Sequence, residues 1–233
     1  MEILIPLVIV LFIALGVYGW WAAQQRRKAL AAWAALLGLS FDPSRDGGMQ
    51  NRLSFACLRQ GDDRYAYNIM QGPCGKRRLL AFDYHYETHS TDSKGRRSTN
   101  HHHFSALVLA SPVPLKPLLI RPEGLFDKLK GFFGFEDINF ESAEFSRKFF
   151  VSSPDRKWAY DVLHQRTMEF LLAEPKHFCV EFDPVCVMIH GGGTFAVADF
   201  DAARRQIEGL LDRLPEYLVK QQVEQNGGAT NVG

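Results

Sequence analysis

Residues 77–111, RRLLAFDYHYETHSTDSKGRRSTNHHHFSALVLAS, contain two apolar segments that flank a polar turn, Thr91–Thr99. In the first segment Phe82, Tyr84 and Tyr86 alternate with polar residues, which is the two-residue period of a β-strand. The second segment, HHHFSALVLAS, also has the length of a strand. The stretch therefore predicts a β-hairpin with one aromatic, buried face.

Four other stretches have strand character. LSFACLRQ and RYAYNIMQ flank Gly61–Asp63 and predict another hairpin. VPLKPLLIRPEG contains Pro114, Pro117 and Pro122, which favour an edge strand or a connecting segment. HFCVEFDPVCVMIH predicts a pair of strands that turns at Asp183–Pro184.

The second half of the chain also contains two helical patterns. In SSPDRKWAYDVLHQRTMEFLLAEP, Ser153 is the predicted N-cap and Pro175 ends the helix. DFDAARRQIEGLLDRLPEYLVKQQ has amphipathic spacing, with Pro215 as the site of a kink. Because strands come first and helices mainly later, the sequence predicts an α+β fold with a mainly antiparallel sheet and helices packed on it.

The N-terminus has a different composition from the rest of the chain. From Ile3 to Ala23 there are 21 residues without a charge, enough to cross a hydrocarbon core of ~30 Å. Trp20 and Trp21 lie near one end of this run and are candidate contacts to the headgroup layer. A cleaved signal peptide would need a basic start and a small-residue cleavage site, and the two tryptophans occupy the place of cleavage. The stretch therefore predicts a transmembrane helix.

The charges beside this helix predict its orientation. Arg26, Arg27 and Lys28 follow the apolar run, whereas only Glu2 and the amino terminus precede it. By the positive-inside rule the N-terminus is outside and the following domain is cytoplasmic, with these three cations near the membrane. We predict a single-pass protein of the inner membrane whose four cysteines are reduced.

Turn-forming residues divide the chain into segments. Gly38 ends the helical pattern, DPSRDGG is typical of a linker, and NGGATNVG is typical of a frayed tail. The predicted organisation is a transmembrane anchor (1–23), a juxtamembrane helix (24–38), a linker (39–48), a cytoplasmic α+β domain (49–221) and a disordered tail (222–233).

Five of the eight histidines lie within the predicted hairpin, which suggests a metal site. On one strand His85 and His89 would be ~13 Å apart, too far to share an ion with bonds of ~2.0–2.1 Å. A hairpin centred near Gly95 would instead bring His89 opposite His101. The candidate ligands are then Glu87, His89, His101 and His103. The alternative is a hydrated hairpin without a metal, because no acceptor for the second nitrogen of a ligating imidazole is evident.

Other motifs give no catalytic or cofactor site. HGGGTF, residues 190–195, is similar to the oxyanion-hole motif of lipases and esterases, but the chain has no G-x-S-x-G nucleophile motif. GPCGKRR, residues 72–78, lacks the spacing of a phosphate-binding loop. We therefore predict neither catalytic residues nor a cofactor. The net charge of +1 argues against nucleic acid as a partner.

An aromatic segment, residues 123–150, holds eight of the 18 phenylalanines. A helix over residues 124–133 would place Phe126, Phe132 and Phe133 on one side as membrane contacts. The alternative is an amphipathic helix that packs on the sheet.

The layout resembles bacterial single-span membrane proteins that are known only as a domain of unknown function. The similarity is carried by RRKALAAWAALLGLSF after the span, by the FDYHY strand and by EDINFESAEFSRKFFVSSPDRKWAYDVL. It covers most of the chain and implies an inner-membrane protein. Its motifs are structural, so it implies no active site, and the HHH run is not part of the pattern.

Two functions remain open at this point. The first is a non-catalytic, membrane-tethered cytoplasmic module that binds the bilayer or an unidentified protein partner. The second is a metal-dependent or metal-sensing protein that uses the hairpin of residues 83–103.

Overall fold

The computed structural model describes residues 4–123 and 137–227, and the side chains of residues 8–123 and 137–221. Its strands are β1 (Ser40–Asp42), β2 (Asp62–Cys74), β3 (Arg77–Thr91), β4 (Arg97–Ala110), β5 (Leu118–Pro122), β6 (Phe149–Ser152), β7 (Cys179–Asp183) and β8 (Cys186–His190). Its helices are α1 (Leu4–Leu36), α2 (Met49–Arg52), the 3₁₀ helix η1 (Ala56–Arg59), α3 (Ala143–Lys148), α4 (Arg156–Val162), α5 (Gln165–Ala173), α6 (Val197–Asp212) and α7 (Glu216–Gly227).

The eight strands of the described residues belong to one sheet with the order β1-β2-β3-β4-β8-β7-β5-β6. Each pair of neighbours is antiparallel. The hairpin of β3 and β4 is the longest pairing and runs from Leu79 opposite Leu109 to Thr91 opposite Arg97. The predicted α+β class with an antiparallel sheet is therefore confirmed, as is the β7–β8 turn at Asp183–Pro184.

Helix α1 has two halves with different surroundings. From Val8 to Trp21 every residue is exposed, although nearly all of them are apolar. Beyond this stretch Leu30, Trp33 and Ala34 are buried against the sheet. The helix is long and apolar enough to cross a membrane, and the exposed residues of its first half do not pack against the protein core.

The two faces of the sheet have separate hydrophobic cores. One face carries Ala81 and Leu107 and is covered by the second half of α1 and by α6. The other face carries Phe82 and Ala106 and is covered by residues 49–58. Successive residues of β3 and β4 thus alternate between two buried layers, which explains their long apolar runs.

The predicted hairpin around Gly61–Asp63 is wrong. LSFACLRQ folds as a loop and the helix η1, and its side chains Phe55, Cys57 and Leu58 cover the second face of the sheet. Strand β2 pairs instead with β1 and β3, and the turn between β2 and β3 passes through Gly75, which has a φ of +60°. The apolar residues of LSFACLRQ do not belong to a strand. They pack on the second face of the sheet from a separate layer.

The edge position predicted for VPLKPLLIRPEG is also wrong. Strand β5 is paired on both sides, with β6 and with β7. Pro114 and Pro117 precede the strand and Pro122 is its last residue, so none of them interrupts the pairing.

Three helix boundaries differ from the prediction. Asp155, not Ser153, caps α4 by accepting from the Trp158 N–H at 3.0 Å. The pattern that follows is split into α4 and α5 at Leu163–His164. Pro215 separates α6 from α7 instead of kinking one helix.

Several predicted domain boundaries shift as well. The span and the juxtamembrane helix (24–38) are one continuous helix, which ends with the Leu39 N–H donating to the Ala34 carbonyl and with Gly38 at a φ of +69°. The predicted linker (39–48) contains β1, and Asp46 pairs with Ala66 of β2. The predicted tail (222–233) is helical through Gly227.

We expect Gly61→Ala to destabilise the fold by roughly 3 kcal/mol, because the residue has a φ of +61° and an added Cβ would lie 2.0 Å from the Glu87 carbonyl oxygen. Gly95→Ala is the matched control, since its φ is +77° but its Cβ would meet no atom within 4 Å. It should cost only the left-handed backbone penalty of about 1 kcal/mol. Thermal unfolding of the full chain in detergent measures both, and equal losses would contradict the close contact.

Candidate functional site

The centre of the first sheet face is a buried carboxylate bound by an arginine of α1. Asp83, on β3, is completely buried. The Arg26 guanidinium forms a bidentate contact with it: Nε donates to Oδ2 at 2.9 Å and Nη2 donates to Oδ1 at 2.7 Å. Paired geometry of this kind is the strongest form of the arginine–carboxylate interaction. We call this contact the Arg26–Asp83 junction.

Further groups complete the junction. Asn68 has a φ of +50° at an irregularity in the β2–β3 register, and its Nδ2 donates to Asp83 Oδ2 at 2.9 Å. The Ser105 hydroxyl donates to Asp83 Oδ1 and accepts from the Phe195 N–H. Arg26 Nη1 donates to the Phe195 carbonyl at 2.7 Å. The junction thus joins α1, three strands and the segment that leads into α6.

This arrangement corrects two sequence predictions. Arg26 was predicted to contact the membrane, but its guanidinium is directed into the protein. The sequence analysis predicted a single buried face, the aromatic one, but Asp83 and His85 on the other face are also buried because α1 and the residues around Asp63 cover them. Arg27 and Lys28 are exposed, as are Trp20 and Trp21.

Beyond the junction, β3 and β4 continue as an arm rich in histidine, residues 85–103, which we call the histidine arm. Its register differs from the prediction. Glu87 lies opposite His101 and His85 lies opposite His103, while His89 lies opposite Thr99. The reason is a five-residue loop from Asp92 to Arg96, which the Asp92 carboxylate closes by accepting from the Lys94 and Arg96 N–H groups.

The true register brings three potential metal ligands together on one face of the arm. His85 Nε2 lies 3.2 Å from His101 Nδ1, and the same His101 atom lies 3.1 Å from Glu87 Oε1. One ligand atom from each residue falls within 4.8 Å of the other two. Of the predicted ligands, Glu87 and His101 belong to this group, and His85 was missed.

The other histidines of the arm have different partners. His103 Nδ1 lies 3.2 Å from the Tyr67 hydroxyl, and its ring centre is 4.8 Å from that of His85. His89 lies with its Nδ1 3.1 Å from the Thr99 hydroxyl, outside the group. His102 is on the opposite face, where its ring stacks on Tyr86 at 4.6 Å.

Burial also affects the protonation of two groups beside His85. Partial burial lowers the pKa of His103, and the neighbouring His85 and His101 lower it further. Burial raises the pKa of Tyr67 to about 12, so this phenol stays neutral. The Tyr67 phenol of β2 and the His103 imidazole of the arm therefore favour their uncharged forms next to the ligand set.

A second polar group lies on the opposite face of the sheet and was missed by the sequence analysis. Cys57 of η1, Glu181 of β7 and His190 of β8 are buried, and one atom of each lies within 4.8 Å of the other two. His190 Nε2 lies 3.1 Å from Glu181 Oε1. The sequence signal that could have predicted this group is a polar residue in each of two apolar strands, Glu181 in CVEFD and His190 in CVMIH.

The chemistry of this second group is that of an internal ion pair. Burial opposes a charge on His190, but Cys179 and Glu181 outweigh it and raise the pKa of the imidazole well above its usual value. Burial and Glu181 raise the pKa of the Cys57 thiol, which keeps it protonated. A buried thiol of this kind is a poor nucleophile.

Two pockets of about 280 and 300 Å³ are lined in common by His190, Gly191 and Gly192. The first is also lined by His101 and the second by Phe195. The first three residues of HGGGTF therefore line both small cavities. The sequence has no G-x-S-x-G motif that would supply a serine nucleophile for an oxyanion hole. The predicted membrane contacts Phe126, Phe132 and Phe133 lie outside the described residues.

The sequence matches no protein-family model and no curated protein. Among solved structures, the fold is similar to that of the mycobacterial trehalose monomycolate transport factor A, TtfA. The alignment covers 80% of this chain and 92% of that chain, with a TM-score of 0.61 and 14% sequence identity. At this identity the two proteins share a fold.

We expect Arg26→Met to destabilise the protein by about 3 kcal/mol, because it leaves the buried Asp83 carboxylate without its cation. Arg27→Met is the matched control, since Arg27 is exposed, and it should change stability by less than about 0.5 kcal/mol.

The measurement is chemical unfolding of the full chain in detergent. Addition of Asp83→Asn to Arg26→Met should recover part of the loss, because the neutral amide needs no cation. Equal stability of the Arg26 and Arg27 variants would contradict the importance of the junction.

Proposed function

We propose that this chain is a single-span protein of the inner membrane whose α+β domain acts in the cytoplasm as a non-catalytic accessory module, in contact with a membrane-protein partner. The observation that carries the proposal is the form of α1. One helix combines a fully exposed apolar half with a half that is part of the domain core.

The exposed half of α1 supports the anchor. Exposed apolar side chains on all sides of a helix are costly in water and favourable in lipid. Ile13, for example, is 60% exposed and Phe12 is 69% exposed. Trp20 and Trp21 follow at the end of this half, where their rings suit the headgroup layer.

The buried half of α1 supports a fixed attachment between anchor and domain. Arg26 binds Asp83 only three residues after the uncharged run, and Trp33 Nε1 donates to Asp201 of α6 at 3.0 Å. The domain therefore lies directly at the end of the span, without a flexible linker, in a position suited to contact a neighbour in the membrane.

Orientation and partner class rest on two further arguments. The exposed cations Arg27 and Lys28 favour the cytoplasmic side for the domain. The solved protein that shares the fold is a transport factor, which favours an accessory role in membrane transport over catalysis.

The anchor is tested by placing a charge in the exposed half of α1. Ile13→Arg should reduce recovery in alkali-washed membranes, because an arginine at the centre of a span costs about 3 kcal/mol. Val185→Arg is the matched control: Val185 is a 68% exposed apolar residue of the domain, and its replacement should leave membrane recovery unchanged.

The same membranes test the orientation. A fluorescent reporter that matures only in the cytoplasm, fused after Gly233, should be active, and an export-dependent phosphatase at the same position should be inactive. The reverse pattern would overturn the cytoplasmic assignment, and equal recovery of the Ile13→Arg variant would overturn the anchor.

The accessory role predicts a stable assembly with a multi-span membrane protein. After mild detergent extraction of native membranes, the wild-type chain should migrate on a native gel well above its own mass of 26.4 kDa together with that partner. The Val185→Arg variant should enter the same assembly and the Ile13→Arg variant should not. Migration of the wild type as a free monomer would contradict the proposal.

A further inference from the structure

We propose that His85, Glu87 and His101 bind one divalent transition-metal ion of the zinc type at the base of the histidine arm, with a fourth position open to solvent. The inference is independent of the membrane assignment, because it rests on the geometry of three side chains on two paired strands.

The spacing of the ligand atoms fits a tetrahedral ion. Bonds of ~2.0–2.1 Å at tetrahedral angles separate neighbouring ligand atoms by about 3.3 Å. His85 Nε2 and His101 Nδ1 are 3.2 Å apart, and His101 Nδ1 and Glu87 Oε1 are 3.1 Å apart. The remaining pair is within 4.8 Å. Small side-chain rotations are sufficient to place an ion between the three atoms.

His85 is oriented as metal-bound histidines usually are. Its Nδ1 lies 3.1 Å from the Asp63 carbonyl oxygen, which is only an acceptor, so Nδ1 carries the hydrogen and donates to it. The Nε2 atom then carries the lone pair and faces His101. Histidine ligands typically donate a hydrogen bond from their second nitrogen to a carbonyl or carboxylate in this way, and Asp63 of the neighbouring strand β2 therefore supplies the acceptor that was not evident in the sequence.

The backbone that holds this acceptor is specialised. Asp63 has a φ of +44°, which is unusual for a residue other than glycine. Gly61, two residues earlier, lies so close to the Glu87 carbonyl that only glycine fits there. The irregular start of β2 and the glycine before it are thus packed against β3, the strand that provides two of the ligands. This contact fixes the Asp63 acceptor next to His85 and Glu87.

Burial is graded across the three ligands. His85 is 3% exposed, whereas the side chains of Glu87 and His101 are 19% and 58% exposed. An ion can therefore enter from solvent beside His101 and reach a rigid inner ligand. Two imidazoles and one carboxylate favour zinc, copper or nickel over magnesium or calcium, which prefer oxygen ligands.

The group of Cys57, Glu181 and His190 is the competing location for a metal in the described part of the chain. It lies on the opposite sheet face and differs in chemistry, because it would contribute a sulfur ligand. A spectroscopic probe that detects sulfur can therefore separate the two locations.

The test uses the full chain in detergent, purified without a polyhistidine tag and stripped of metal with a chelator. Titration with zinc chloride against a coloured competitor should give one ion per chain. His101→Ala and Glu87→Gln should each weaken binding by about 100-fold or more, since even the partners behind the ligands affect metal affinity by 10–100-fold. His89→Ala on the same arm should leave the affinity within about twofold, because His89 lies outside the ligand group.

Cobalt(II) gives the second readout. The cobalt-loaded protein should show the visible bands of a tetrahedral site without sulfur-to-cobalt charge transfer, and Cys57→Ala should leave the spectrum unchanged. Circular dichroism of each variant checks that the fold is retained; His101 and Glu87 are at least partly exposed, so their substitution should not unfold the chain.

The proposal would be overturned by binding of less than one zinc per chain, by full affinity in the His101→Ala variant, or by a sulfur charge-transfer band that disappears with Cys57→Ala. Loss of affinity in His89→Ala equal to that in His101→Ala would also overturn it, since it would indicate non-specific binding by exposed imidazoles.

Discussion

A carboxylate with no access to water must be neutralised by the protein, and in this fold the Asp83 carboxylate meets its cation on a helix 57 residues away in the sequence. This requirement determines the path of α1. The helix must cross the sheet where Arg26 can reach β3, and its apolar residues Leu30 and Trp33 then cover the sheet on one side of that point. The Arg26–Asp83 pair fixes the position of α1 on the sheet more than it adds net stability, because the cost of desolvating both groups offsets much of their attraction.

Three residues on the same face of strand β3 lie in three different environments. Asp83, His85 and Glu87 occupy alternate positions of β3 and therefore face the same side of the sheet. Helix α1 seals the first of these residues, the turn at Asp63 covers the second, and the third is only partly covered. A gradual loss of cover along one strand thus converts a structural ion pair into an accessible group of ligands within a few residues.

Local patterns in the sequence were sufficient for the long apolar helix, the β3–β4 hairpin and the β7–β8 turn, because each depends on neighbours in the chain. They were insufficient wherever a distant segment determines the environment. Asp83 and His85 have the alternation of an exposed face, and only α1 and Asp63 bury them. The ligand group was partly anticipated through Glu87 and His101, but the hairpin loop length shifted the register and replaced His89 by His85.

The absence of any break in α1 between Leu4 and Leu36 has a mechanical consequence. In the proposed membrane setting, the part within the lipid and the part within the domain are one lever about 50 Å long. A change in tilt or rotation of the span, whether imposed by bilayer thickness or by a neighbouring protein, must swing the whole domain as a rigid body. The coupling acts in both directions, so a force on the domain would also change the tilt or rotation of the span.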